Sequence, residues 1–339
     1  MNHIDVELGE YHDMENQTLV TEFILLGLSS DPHLQVILFL LFLIVFLVTL
    51  LGNGTIMLVV TTEPNLKTPM FFFLKHLAFV DIFYSSVTVP KMLENLLKKQ
   101  KTISWEGCII QIFFFFKVAC AEVFILAAMA YDRYVAICDP LHYTTTMKQG
   151  TCRQLVGAAW TTGFLYAMMN AVPLLNLQFC GNNAIRHYSC DLPSLLVLSC
   201  TQTLTNDIVL LISAFVLGLS SFLFTLISYI YIIAAILKIR SAEGRRKAFS
   251  TCSSHLIVVG IFYIAAFFRY MKPNSESFID LDKVVSIQYS IITPMLNPII
   301  YSLKNKDIKI TQLFACIQTK DVKYTGIQWG WQGKLKPVR

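Results

Sequence analysis

Long apolar stretches recur along the 339-residue chain, and they constrain its fold more than any other feature. A hydrocarbon core about 30 Å thick takes about 20 helical residues to cross. Seven stretches reach that length, at residues 36–60, 69–93, 108–134, 154–175, 208–237, 251–271 and 284–303. Asn170, His255 and Arg269 interrupt the fourth and sixth, and hydropathy alone leaves counts of six and eight open. We predict an all-α membrane protein with a bundle of seven transmembrane helices.

The composition agrees with a lipid bilayer as the solvent. Only 14% of the residues are charged, whereas soluble domains carry about a quarter. Hydrophobic residues make up 55% of the chain, and the mean hydropathy is +0.57. These values exclude an ordinary soluble enzyme or binding domain.

The distribution of Lys and Arg predicts the orientation of the bundle. Residues 1–35 contain neither, whereas the connection 238–252 and the C-terminal tail contain several. Because cytoplasmic loops are enriched in Lys and Arg, we expect 1–35 to be extracellular, 36–303 to form the seven-transmembrane domain, and 304–339 to be cytoplasmic. The cluster LKKQK at 97–101 falls on the outer side and opposes this rule. The net charge of +5 reflects this sidedness, and we expect no nucleic-acid partner.

Asn16 begins the sequon Asn-Gln-Thr in the segment that we expect to be extracellular. We therefore predict that Asn16 is glycosylated. A second sequon begins at Asn53, but it lies inside the first apolar stretch, where the transferase cannot reach it. The sequence leaves two candidate start sites, Met1 and Met14.

Four polar residues lie at similar depth within the apolar stretches: Asp81, Glu122, Asn53 and Asn297. A charged side chain near the bilayer centre costs roughly 2.5–3.5 kcal/mol on insertion scales, so each one needs a partner or a role. Two carboxylates and two amides around one cavity suit Na⁺ or a shared proton. The alternative is a hydrogen-bond network that holds the helices together. Apart from this candidate ion, we expect no cofactor.

The sequence lacks the motifs that typify catalysis. It contains no G-x-S-x-G, no H-E-x-x-H and no phosphate-binding loop, and its seven histidines have no metal-ligand spacing. We therefore expect that the chain is not an enzyme. His255 is expected to form a hydrogen bond to a neighbouring helix.

Cysteines fall on both sides of the predicted membrane. Cys108, Cys180, Cys190 and Cys200 lie on the side that we expect to be extracellular. An oxidising compartment favours two disulfides among them, and the sequence alone permits three connectivities. The other five cysteines are expected to be free thiols.

An Asp-Arg-Tyr triplet, Asp132 to Tyr134, stands at the end of the third apolar stretch. An arginine side chain stays charged in a protein. Arg133 must therefore face water, a carboxylate or a partner. A simpler interpretation is an anchor whose charged end reaches the membrane surface.

Five motifs occur in order along the chain. They are PMFFFLKHLAFVDIFYSSVTVPKML (69–93), MAYDRYVAICDPLHY (129–143), HYSCDLPSLLVLSC (187–200), KAFSTCSSHLIVV (247–259) and PMLNPIIYSLKN (294–305). Together they resemble the vertebrate olfactory receptors, which are rhodopsin-like (class A) G-protein-coupled receptors. The resemblance runs from about Asn16 to Asp307, and the tail beyond it departs from the family's usual ending.

The resemblance implies roles for individual residues. The family's activation and G-protein-coupling positions fall on Asp132, Arg133, Tyr134, Tyr229, His255, Asn297, Pro298 and Tyr301. Its ligand pocket lies in the outer half of the bundle, between the third, fifth, sixth and seventh spans. The matching residues are Phe115, Phe116, Ala119, Cys120, Ser213, Leu217, Tyr263, Phe267 and Tyr270. The family's disulfides correspond to Cys108–Cys190 and Cys180–Cys200.

The function implied is that of an odorant receptor in the plasma membrane of olfactory sensory neurons. A small, mostly apolar molecule would bind in the outer half of the bundle, and an olfactory-type stimulatory G protein would then raise cyclic AMP. One alternative is a chemoreceptor of the same fold that senses a metabolite outside the nose. A proton- or ion-coupled transporter is disfavoured, because such folds often contain internal repeats and we find none in this sequence.

Overall fold

The computed structural model describes residues 20–270 and 279–304. Within these ranges the chain forms three short strands and a succession of α-helices. In chain order they are β1 (Glu22–Leu25), α1 (Pro32–Thr62), α2 (Pro69–Leu97), β2 (Thr102–Ser104), α3 (Trp105–Cys138), α4 (Tyr143–Thr146), α5 (Gln149–Ala171), β3 (Ala184–Ile185), α6 (Leu192–Leu196), α7 (Leu204–Leu237), α8 (Ala242–Tyr270), α9 (Ile279–Ile287) and α10 (Thr293–Lys304). Two 3₁₀ turns, Pro64–Leu66 and Val172–Asn176, and one π-helical turn, Gln288–Ile292, complete them.

Five of the described helices are long and apolar enough to cross a membrane: α1, α2, α3, α5 with its following 3₁₀ turn, and α7. Helix α8 becomes a sixth when its two parts, bent by 40° between Ser250 and Cys252, are counted together. The seventh predicted span is built from α9, the π-helical turn and α10, which follow one another without a break. This last segment carries Asp282 and buries Ser286, Ser290 and Asn297, so its composition is more polar than that of the other spans.

Local signals explain where the long helices begin. Pro32 stands in the first turn of α1, where its missing N–H costs nothing, and the Asp31 carboxylate accepts a hydrogen bond from the His33 N–H at 2.9 Å. Helix α3 begins in the same manner, because the Ser104 hydroxyl oxygen accepts from the Gly107 N–H at 3.1 Å. These caps satisfy amide groups that would otherwise lack a partner.

The bundle has apolar side chains on its outside and polar ones inside. On α1, Leu40, Ile44 and Leu51 are 53%, 61% and 70% exposed, whereas Asn53 on the same helix is 1% exposed. The interior also contains Asp81 and Glu122, both fully buried. A helix surrounded by lipid satisfies its backbone internally and turns its apolar face outward. The pattern therefore fits a protein whose solvent is a bilayer.

Helix α3 lies at the centre of the bundle and contacts α2, α5, α7 and α8. It is unbroken from Trp105 to Cys138, and Cys108 and Arg133 are therefore about 37 Å apart along its axis. The two ends of the bundle are called the disulfide end, after Cys108, and the arginine end, after Arg133.

A small sheet covers part of the disulfide end, and the sequence did not lead us to expect it. Strand β1 lies in the middle, antiparallel to β2 and parallel to β3. Phe23 and Leu25 point inward and are fully buried, whereas Glu22 and Ile24 point outward. The sheet thereby ties the segment before α1 to two distant loops.

Gly163 sets the distance between α5 and α3. A Cβ at this position would lie 2.4 Å from the backbone oxygen of Lys117. We expect Gly163→Ala to push the two helices apart and to destabilise the protein by about 1–3 kcal/mol, the usual cost of overpacking. The thermal unfolding temperature of the purified protein measures this loss.

Gly157 on the same helix provides a matched control. A Cβ there meets no atom within 4 Å, and alanine has a better helix propensity than glycine by about 0.8–1 kcal/mol. Gly157→Ala should therefore leave the unfolding temperature unchanged or raise it. Equal losses for the two variants would contradict the close-packing explanation.

Candidate signalling site and ligand chamber

Arg133 is buried at the arginine end and only partly satisfied. Its side chain is 10% exposed, and Nη2 lies 3.5 Å from a carboxylate oxygen of Asp132. That nitrogen has no hydrogen-bond partner within the described residues. Asp132 is better satisfied, because the Tyr143 hydroxyl donates to it at 2.8 Å. The guanidinium therefore keeps donors available for another acceptor.

Tyr143 belongs to the short helix α4, outside the long helices, and the sequence analysis did not predict its role. Burial raises the pKa of its phenol above the ordinary value, and the neighbouring Asp132 carboxylate adds to that rise. Tyr143 thus remains protonated and acts as a hydrogen-bond donor. The sequence feature that could have indicated this role is the position of Tyr143, an aromatic residue at the end of the motif that contains Asp132.

His255 links three helices near the arginine end. Its Nε2 lies 3.1 Å from the Leu126 carbonyl oxygen on α3, and its Nδ1 lies 2.6 Å from the Tyr229 hydroxyl on α7. A carbonyl oxygen only accepts, so in the neutral ring Nε2 carries the proton and Nδ1 accepts from Tyr229. The predicted hydrogen bond from His255 to a neighbouring helix is present.

A compact apolar cluster closes the arginine end. Ala130 of α3, Tyr229 and Ile232 of α7 and Cys252 of α8 are all buried in it. Tyr134 of the Asp-Arg-Tyr triplet packs against the same cluster. Arg133 as a whole residue is only 8% exposed, so we describe this conformation as closed at the arginine end.

The four polar residues predicted within the spans are buried, and three of them have hydrogen-bond partners. The Asn297 amide donates to both carboxylate oxygens of Asp81, at 2.9 and 3.1 Å. The Asn53 amide donates to the Pro294 carbonyl oxygen at 2.9 Å, which joins α1 to α10. Glu122 differs, because neither of its carboxylate oxygens has a hydrogen-bond partner in the part of the chain that is described. The Glu122 and Asp81 carboxylates interact electrostatically.

Two of the predicted activation residues, Pro298 and Tyr301 of α10, adjoin this polar group. Pro298 lies inside the helix, where a proline removes one backbone hydrogen bond, and a Cβ on Gly52 would lie 3.0 Å from its ring. Tyr301 is 7% exposed, and its hydroxyl has no hydrogen-bond partner among the described residues. Both residues therefore lie in the interior, between the polar group and the arginine end.

Most of the predicted chamber residues pack in one interior region. Phe115 and Phe116 on α3 contact each other, with ring centroids 5.7 Å apart. Cys120 is buried, and Leu217 of α7 packs against the same cluster as Phe116. The half-buried residues Ala119 and Tyr263 pack with Phe115 against a second cluster. The Ser213 hydroxyl is buried but donates to the carbonyl oxygen of Leu210 in its own helix, at 3.3 Å.

Phe267 lies apart from the other chamber residues. It is 59% exposed and lies on the outward side of α8. Tyr263, about one turn earlier on the same helix, packs against the core, so the inward face of α8 does not extend to Phe267. The side chain of Tyr270, like Asn16 and the C-terminal tail, lies outside the described residues.

Three tyrosines that the sequence analysis missed contact the predicted chamber residues. Phe115 contacts Tyr84 of α2 and Tyr289 of the π-helical turn, with ring centroids 5.3 and 5.8 Å apart. Phe116 contacts Tyr166 of α5 at 5.3 Å. Their signal was weak, since an aromatic residue in an apolar helix is most often simple packing.

Both predicted disulfides are present, Cys108–Cys190 and Cys180–Cys200. Cys108–Cys190 holds the loop between α5 and α7 against α3, and Cys180–Cys200 closes that loop on itself. The Gln111 side chain adds to this by accepting from the Cys190 N–H at 2.8 Å. From the same loop, the Tyr188 hydroxyl forms a 3.0 Å hydrogen bond with Ser290 in the π-helical turn. Four of the remaining cysteines, Cys120, Cys138, Cys152 and Cys252, are free thiols as predicted.

Lys117 is a charged residue of α3 that the sequence analysis also missed. Its ammonium lies 5.8 Å from the ring centroids of Phe114 and Trp160 and 5.9 Å from that of Phe164. Such cation–π contacts stabilise a cation away from water. These aromatic contacts therefore explain how α3 accommodates the charge of Lys117 within a membrane span.

Comparisons with known proteins agree with this arrangement. A family profile described as "Olfactory receptor" matches residues 42–317. The mouse protein "Olfactory receptor 5B21" is 50% identical over 299 residues, which cover 87% of this chain and 93% of the relative. Its human counterpart is 48% identical over 296 residues, covering 87% and 96% of the two chains, respectively. Mouse "Olfactory receptor 5G26" is 50% identical over 294 residues, covering 87% and 92%.

These matches confirm the predicted family, the seven-helix fold class and the expectation that the chain is not an enzyme. They also agree with the apolar helices, the inward polar residues and the two disulfides. The chain therefore belongs to the olfactory receptor family of seven-helix, multi-pass plasma-membrane G-protein-coupled receptors.

Proposed function

We propose that the protein senses a small, mostly apolar odorant and couples it to an olfactory-type stimulatory G protein, which raises cyclic AMP. The observation that carries the proposal is Arg133, a buried guanidinium with unused donors at a closed end of the bundle. A buried cation without full hydrogen bonding is costly. A buried Arg133 is explained if a second conformation supplies the hydrogen-bond acceptor that is missing in this one.

The coupling works through two conformations of the arginine end. In the closed one, Tyr143 and Arg133 both engage Asp132, and His255 holds α3, α7 and α8 together. In the open one, α8 moves away and Arg133 meets the carbonyl or carboxylate oxygens of the G protein. A ligand shifts this equilibrium only by its difference in affinity for the two conformations.

The ligand chamber is the region around Phe115 and Phe116, in the half of the bundle nearer the disulfide end. Aromatic rings dominate its wall, and its polar groups are tyrosine hydroxyls, such as that of Tyr263, and the Cys120 thiol. Pockets of this kind bind apolar molecules and orient them with one or two polar contacts. The orientation follows from the Lys and Arg distribution: the disulfide end faces outward and the C-terminus lies in the cytosol.

Cells that express the receptor with a cyclic-AMP reporter test this function against a panel of apolar volatile odorants and, separately, of polar metabolites. For the best agonist, Phe116→Ala removes a buried chamber wall worth about 1.5–3 kcal/mol. We expect its half-maximal concentration to rise about 10- to 100-fold. Phe267→Ala, which alters an outward ring, should leave it unchanged.

Two outcomes of this experiment would contradict the proposal. Equal losses for Phe116→Ala and Phe267→Ala would mean that the chamber lies elsewhere. Responses to polar metabolites alone would favour a chemoreceptor with a role outside olfaction.

We further propose that Asp81, Glu122, Asn53 and Asn297 hold a Na⁺ ion or a shared proton. The support is that Glu122 is fully buried without a hydrogen-bond partner within the described chain, beside the Asp81 carboxylate. Two anions at that depth repel each other and lose their hydration. A cation between them, or a proton on one of them, removes that cost.

Thermal unfolding in NaCl and in KCl of equal ionic strength tests the Na⁺ alternative. A site that binds Na⁺ only when folded stabilises the protein by about 1.4 kcal/mol at ten times its Kd. We expect NaCl to raise the unfolding temperature of the wild type above that in KCl, and we expect Asp81→Asn to abolish the difference. Identical temperatures in the two salts for the wild type would leave the shared proton as the explanation.

A further inference from the structure

The lysine cluster at 98–101 is a basic group that the charge rule does not explain. Lys98, Lys99 and Lys101 follow α2 at the disulfide end, where Lys and Arg are ordinarily scarce. Neither the ligand chamber nor the signalling site uses them. The residues around these lysines indicate what they could bind.

The three lysines differ in their partners. Lys98 forms an ion pair with Glu94, one turn back on α2. Lys99 and Lys101 form none: within residues 20–270 and 279–304, no carboxylate oxygen lies within 4.0 Å of either ammonium. Lys101 is half-buried, and its Nζ donates to the Ser29 carbonyl oxygen at 3.1 Å, which is a neutral acceptor. Among the described residues, these two cations thus lack a counter-charge.

Both of these lysines line a groove with a volume of about 450 Å³ on the outer face of the sheet. Ile24 and Leu26 form an apolar strip beside them, and they are 38% and 48% exposed. Glu22 is the one carboxylate among the lining residues. The full lining is Glu22, Ile24, Leu25, Leu26, Lys99, Gln100, Lys101, Thr102 and Asn183.

We propose that this groove binds a small organic anion with an apolar chain, such as a medium-chain carboxylate. The carboxylate would accept charge-assisted hydrogen bonds from Lys99 and Lys101. The chain would cover the exposed strip of Ile24 and Leu26, which removes apolar surface from water. The groove shares no residue with the chamber around Phe115 and Phe116, so it is a second and separate site.

Equilibrium binding of radiolabelled octanoate to the purified full chain, in nanodiscs of neutral phosphatidylcholine, tests the site. Octanol serves as the neutral analogue with the same tail. The variant Lys99→Gln/Lys101→Gln should weaken octanoate binding at least about tenfold and leave octanol unaffected. Glutamine keeps an uncharged donor at position 101, and an unchanged unfolding temperature of the double variant shows that the sheet is preserved. Nanodiscs that contain phosphatidylserine distinguish a lipid headgroup, which would compete with octanoate, from a free amphiphile.

Two matched variants sharpen the result. Lys98→Gln removes a lysine of the same cluster that is already paired and does not line the groove, so octanoate binding should not change. Glu22→Gln removes the one negative charge of the lining and should strengthen binding by about threefold, the size of a screened surface interaction. Unchanged affinity in the double variant, or an equal loss in Lys98→Gln, would overturn the proposal.

Discussion

The Arg133→Ala receptor should reach the cell surface and give no odorant-stimulated rise in cyclic AMP. Truncating a buried charge at an interface costs about 2–5 kcal/mol, which corresponds to a loss of at least about 30-fold in coupling. Folding should persist because Asp132 keeps the hydrogen bond from Tyr143. Surface labelling and a cyclic-AMP reporter in the same cells measure the two effects.

Arg153→Ala is the matched control for that experiment. Arg153 lies near the start of α5 and is exposed, so its removal alters the same charge type without touching Asp132. An undiminished response of Arg133→Ala, or equal losses in both variants, would defeat the assignment of Arg133 to G-protein coupling. Arg133→Lys should recover only part of the response, because an ammonium lacks the planar fork of donors.

Loss of the Cys108–Cys190 disulfide should abolish surface expression. The two residues are separated by 82 positions, so in the chain-entropy model the cross-link contributes about 4.5 kcal/mol. Cys108→Ala/Cys190→Ala removes that contribution and frees the loop that Gln111 also holds. That loss is between about a third and nine-tenths of the stability of an ordinary domain, about 5–15 kcal/mol.

Two other cysteine variants provide controls for the loss of surface expression. Cys180→Ala/Cys200→Ala opens a loop of 20 positions, worth about 3.3 kcal/mol in the same model, and should lower surface expression less. Cys138→Ala removes a half-buried free thiol and should be almost neutral. Equal expression of all three variants would contradict a structural role for the Cys108–Cys190 bond.

The sequence predicted the helix positions well because a span needs a long apolar run. The family resemblance also indicated Phe115 and Phe116 on α3, and both pack into the interior because that helix is unbroken from Trp105 to Cys138. Phe267, about one turn beyond the inward-packed Tyr263, is 59% exposed, because the end of α8 is not covered by neighbouring helices on that side.

Non-local pairings were the other part that the sequence did not predict. Strand β1 is only four residues long and pairs with segments far away in the chain, so its alternation is too short to stand out. Tyr143 and Tyr289 became functional candidates only through the residues they contact. Such contacts depend on how helices rotate against one another, which apolar periodicity does not define.

The π-helical turn at Gln288–Ile292 allows the part of the seventh span that follows it to rotate and advance together. A turn of this kind contains one residue more than an α turn, and it occurs mostly at functional positions. If it tightened to α geometry, everything after it would rotate by about 100° and advance by about 1.5 Å. Asn297 would then leave the Asp81 carboxylate that it now contacts. Displacement of the Tyr289 ring would in this way rotate Tyr301, while the axis of the helix stays straight.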